Sequence, residues 1–144
     1  MDKPSSSSYP RVTLTNGLVV ANFSSPHDFT FVDGSVLPAC DPEHSKKMML
    51  DAAEIETDGI KGTTDINIRW HINSVVYRAL VEACLEDGVD IVLVPLPVMT
   101  AFKEFSTRAN GAWDQQAELI EQTIRCIRVA DRITKTIHID RFCK

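Results

Sequence analysis

The residues best placed to do chemistry stand at one end of the chain. In CIRVADRITKTIHIDRFC, Arg128, Arg132 and Lys135 fall near one turn, with Asp131 beside them. Two guanidinium forks can grip phosphate oxygens in bidentate fashion, which a lysine does less specifically. A carboxylate next to them can orient an arginine or accept from a ribose hydroxyl. Met99, Phe102 and Phe105 stand on a short helical stretch not far along the chain, and a thioether or aromatic face can stack on a base. Each reading has a plain alternative: the cations pair with surface carboxylates, and the aromatics are the buried face of a helix.

Other chemistries find less support. The histidines are His27, His44, His71 and His138, and none has the spacing of a helical zinc site. Cys40, Asp41 and His44 lie close enough along the chain to share an ion, but a second ligand cluster is missing. Cys84 and Cys126 sit among apolar neighbours, as buried inert thiols do. Neither a nucleophile elbow nor a phosphate-binding or dinucleotide-binding glycine motif occurs, so no cofactor is expected. Gly59-Ile60-Lys61-Gly62-Thr63-Thr64 can cradle an anion through its amides or simply join two strands. His71 and His138 are the candidate acid or base of an enzyme.

Charge narrows the partners. The 144 residues carry a formal charge of −5. Residues 125–144 hold six Lys and Arg against two Asp, or +4, and the other 124 residues hold nine against eighteen, or −9. An acidic body with one basic end suits a small anion better than a long nucleic acid. The longest apolar stretch, Ile91–Met99, has nine residues and two prolines, too short for a membrane span. The opening residues lack the apolar block of an export signal, so the expected location is cytoplasmic and the four cysteines are expected to be reduced.

The elements that must position these residues follow from local signals. Asn16-Gly17 and Asp33-Gly34 each separate two β-rich runs and predict hairpins, read together as an antiparallel meander over 12–38. Asp41-Pro42 predicts a short helix to Lys47. Met48 to Glu56 fits strand or helix. Thr64 to Ile72 alternates Ile66, Ile68, Trp70 and Ile72 with polar residues, which predicts a strand with one buried face. Asn73 caps a helix closed by Gly88, with Val75, Ala79, Val81 or Glu82, and Cys84 or Leu85 at helical spacing. Val89 to Val94 predicts a central strand covered on both faces. Pro97 starts a helix to Phe105, Ser106 to Gly111 reads as a loop, and Trp113 to Gln122 as a further helix. Thr123 to Val129 and Lys135 to Ile139 read as the last strands. The expected fold is one α+β domain over 10–144, mostly antiparallel sheet with two or three helices packed on it, after a disordered tail at 1–9.

This order of hairpin, SVLP, period-two strand, helix, DIVLVPLPVMTAF and CIRVADRITKTIHIDRFC resembles phage proteins of the first Thoeris anti-defence family. The resemblance implies a non-catalytic sponge that sequesters a cyclic ADP-ribose-type immune signal. It implies a homo-oligomer with pockets between protomers, built from arginines, an aromatic and polar residues. By residue type, Arg128 or Arg132 would clamp the phosphates, Arg69 would be a second arginine, Phe102 would stack on the base and Asn110 would supply a polar group. An enzyme that cleaves the same ligand class and an inhibitor of a host protein are the other functions weighed.

Overall fold

Asn16-Gly17 turns the chain as its type demands. Gly17 takes φ +90°, and the Asn16 carboxamide oxygen accepts from the Leu18 amide at 3.1 Å. This turn joins β1 (Arg11–Thr13) to β2 (Val19–Asn22) as an antiparallel pair. Asp33-Gly34 does the same for β3 (Phe29–Thr30) and β4 (Val36–Leu37), again with φ +90° at the glycine. The computed structural model describes residues 9–108 and 115–144, with side chains described outside 106–117.

Helix α1 (Pro42–Lys47) starts where Asp41 accepts from the Glu43 amide. The long strands β5 (Asp51–Asp58) and β6 (Thr64–His71) form a hairpin closed by a single 3-10 turn at Ile60–Gly62. Helix α2 (Ser74–Leu85) is capped by Asn73, whose side chain accepts from the Val76 amide at 2.9 Å. There follow β7 (Ile91–Leu93), α3 (Leu96–Arg108), α4 (Gln115–Thr123), β8 (Ile124–Arg125), β9 (Val129–Asp131) and β10 (Thr136–Ile137). The fold is α+β, with antiparallel pairing in every hairpin.

The order of the largest sheet is β1-β2-β7-β8, and β7 runs parallel to both its neighbours. The residues over 12–38 therefore do not form one meander. β2 keeps β1 on one edge and pairs with β7 on the other, and β3–β4 becomes a separate ribbon. Continuous apolar character in β7 reflects burial on both faces. Val92 packs with Phe23, Val76, Leu80, Phe102 and Ile120 on the helical side. Leu93 packs with Leu14, Val20, Phe31, Leu37 and Ile137 on the other, beneath the two small ribbons. Four helices are present among the described residues.

Several boundaries differ from expectation. α3 runs on through Arg108, so 106–108 is helix rather than loop, and Thr123 ends α4 rather than opening a strand. On α2 the buried residues are Val76, Ala79, Leu80, Ala83 and Cys84, while Val75 and Leu85 face water. The tail expected at 1–9 lies outside the described residues except Tyr9, which is buried. Its hydroxyl donates to the Ala79 carbonyl at 3.2 Å, and its ring stacks on Phe23. The largest departure is β6. Its alternation predicts a buried face, yet Ile66, Ile68 and Trp70 remain exposed, because the β5–β6 hairpin stands out as an arm with its own sheet.

Candidate functional site

The arm is fixed at its base. Asn73 donates from Nδ2 to the Met49 carbonyl and to Asp51 Oδ1, both at 3.4 Å. Register then dictates what each face carries. Ala53 pairs with Arg69, Ile55 with Asn67 and Asp51 with His71 on one face; Ala52 pairs with Trp70, Glu54 with Ile68 and Glu56 with Ile66 on the other. The loop Gly59–Thr64 is the turn of this hairpin. Two of its amides are used internally, Gly59 N donating to Thr63 O at 2.8 Å and Thr63 N to Ile60 O at 3.1 Å.

Where the arm meets the start of α3, two hollows share Trp70. One, of about 570 Å³, is lined by Arg69, Asn67, Thr57, Thr100 and Glu104 together with Trp70. The other, of about 490 Å³, is almost wholly apolar and includes Met48, Leu50, Pro97 and Val98. Ser45 Oγ lines it as well, buried and without a hydrogen-bond partner. Trp70 is 42% exposed, enough to present an indole face. Among the described residues Arg69 forms no ion pair. An exposed indole, a free guanidinium and nearby hydroxyl and amide groups can stack on a base, hold a phosphate and meet ribose hydroxyls.

The C-terminal cations form a different place. Arg132 and Lys135 line an open groove of about 410 Å³ with Thr134, Thr30 and Asp28. Asp131 is occupied: its Oδ1 accepts from the Ile133 amide at 2.8 Å and the Thr134 amide at 3.3 Å, which shapes the β9–β10 turn. Arg128 is exposed and does not line that groove; its carbonyl accepts from the His138 amide.

Met99 and Phe102 are corrections to the expected set. They are 2% and 0% exposed, so neither side chain can stack on a ligand. Helical spacing turns both inward: Phe102 stacks on Tyr77 at 6.4 Å, and Met99 Sδ lies 3.7 Å from Cys126 Sγ. Asn110 lies outside the described residues. Among the described residues Arg69 and Arg132 thus line separate hollows rather than one shared pocket. Trp70 was legible only as a core residue. The available signal was its place in a stripe whose opposite strand carries Glu54 and Glu56.

The remaining groups are engaged. His44 Nε2 lies 2.8 Å from the Phe23 carbonyl, and the Cys40 thiol donates to the Asn22 carbonyl at 3.3 Å. Burial pushes the Cys40 thiol up to about 11 and the Cys84 thiol up to about 12, which disarms these two as nucleophiles; burial raises Cys126 as well, while Lys103 draws it back down. Among the described residues no three His, Cys, Asp or Glu side chains are grouped to hold a metal ion, and no helix is long and apolar enough to cross a membrane. No family model, curated protein or solved structure matches this chain.

Proposed function

We propose that the protein binds and sequesters a small phosphate-bearing nucleotide, intact, in the hollow walled by Arg69 and Trp70. The observation that carries the reading is that Arg69, with no ion pair among the described residues, and its exposed neighbour Trp70, whose side chains leave opposite faces of β6, both line one cavity of about 570 Å³ where the arm meets α3. Trp70 stacks on the base, Arg69 binds a phosphate, and Asn67, Thr57 and Thr100 meet hydroxyls. The layout resemblance to the first Thoeris anti-defence family supports a cyclic ADP-ribose-type ligand and a phage origin.

Assembly from identical copies belongs to the same reading. Residues 51–71 of the arm hold five carboxylates and two cations, or −3, and expose Ile66 and Ile68. The end at 125–144 is +4. Opposite charge favours the arm of one copy lying on the basic end of another, over arm against arm.

One observation favours cleavage as a second reading: His71 shares the arm face of Arg69 and Asp51. The experiment separates the two. The protein is incubated with cyclic ADP-ribose, washed and denatured by heat. Intact ligand released only on denaturation supports sequestration; a hydrolysed product supports the enzyme.

A further inference from the structure

Cys126 and Cys143 face each other at the edge of the main sheet. They form an isolated antiparallel bridge in which Cys126 N donates to Cys143 O at 2.8 Å and Cys143 N donates to Cys126 O at 2.9 Å. Residues exchanging both bonds in this way have Cα atoms about 5.5 Å apart, inside the span a disulfide bridges. Directly opposite residues also project to the same side of the ladder. Both cysteines line one cavity of about 330 Å³, with Leu93, Val94, Leu96 and Ile127. Cys126 is buried and Cys143 is exposed, so the Cys143 residue is the one an oxidant meets first.

We propose that Cys126 and Cys143 are a dithiol site that a small disulfide oxidises to a reversible intrachain bond. Cys143 Sγ attacks one sulfur of the oxidant, forming a mixed disulfide and expelling one small thiol. Cys126 Sγ then attacks the Cys143 sulfur and expels the second. Two protein thiols become one disulfide, the oxidant is reduced to two thiols, and the two protein thiol protons end on them. The bond pins the C-terminal end to β8 across the mouth of the cavity. Side chains at a hydrogen-bonded pair stand wider than a disulfide's Cβ spacing, so closure must pinch the bridge. Strain of that kind makes the bond easy to reduce, which suits a switch better than a permanent staple.

Cys40 and Cys84 are internal controls, being buried away from this bridge. The purified chain is treated with oxidised glutathione, alkylated and digested with trypsin. Cleavage after Arg125, Arg128 and Arg141 leaves Cys126-Ile127-Arg128 and Phe142-Cys143-Lys144. The proposal expects these two tripeptides joined, the free thiols falling from four to two, and full reversal by dithiothreitol. Cys143→Ser removes an exposed thiol and leaves the backbone bridge intact, so it keeps the fold and loses the linkage. Glutathione left on Cys143, a dimer joined through Cys143, or four thiols still free would each overturn it.

Discussion

The Asp33 carboxylate accepts from both the amide and the hydroxyl of Thr15, at 2.9 and 3.0 Å, and so ties the tip of one hairpin to the turn of the other. The Thr15 amide, helped by hydrogen bonds from Ser35, holds the Asp33 carboxyl down at about 2. Its charged form is favoured by folding. The stabilisation is therefore complete above its ordinary value near 3.8 and is lost as pH falls through 2. Asp33→Asn should cost about 1 kcal/mol at pH 7, a modest figure because solvent screens the site. The difference in thermal midpoint between variant and wild type should shrink between pH 4 and pH 2. A difference that stays constant over that interval would contradict the assignment.

Phe102 belongs to the core and not to the ligand. Its truncation to Ala should lower unfolding free energy by about 3–5 kcal/mol, read by denaturant titration. The milder Phe102→Leu should keep nucleotide affinity unchanged. A large affinity loss in a well-folded Phe102→Leu protein would restore it as a stacking residue.

Arg69 and Trp70 should behave in the opposite way. Both are exposed, so Arg69→Ala and Trp70→Ala should leave the thermal midpoint nearly unchanged. Each should weaken binding by about 2 kcal/mol, close to thirtyfold in Kd. Arg132→Ala, in its separate groove, should weaken it less than Arg69→Ala does. Titration calorimetry ranks the three.

The arm supplies a prediction about assembly. Ile68→Glu adds charge to an acidic, exposed face without touching the core. Sedimentation should show wild-type oligomers that weaken as salt rises, and a monomeric Ile68→Glu variant. A wild-type monomer at all concentrations and salts would remove self-association from the account.

What could be read from sequence was what short range decides. Asn16-Gly17, Asp33-Gly34, Asp41-Pro42 and Asn73 each act on residues two or three away, and each turn or cap formed where expected. The continuous apolar run of β7 announced burial on both faces. Its parallel partners were not legible, since β2 and β8 come from distant parts of the chain and pairing depends on packing of the whole. Period-two alternation in β6 gave the strand but not its surroundings: alternation says which residues share a face, not whether anything covers it. Trp70 was read as core for that reason, and Phe102 as a ligand aromatic because its type fits both roles. Arg69 and Arg132 could be matched by type, but only the fold separates their hollows.

The most direct test is a fluorescence titration on a Trp113→Phe protein, which leaves Trp70 as the single tryptophan of the chain. The account predicts that cyclic ADP-ribose quenches Trp70 saturably, that the ligand is recovered unchanged, and that Arg69→Ala shifts the midpoint about thirtyfold. Saturable binding with Trp70 emission unaltered, or no binding at all, would contradict a nucleotide site at Arg69 and Trp70.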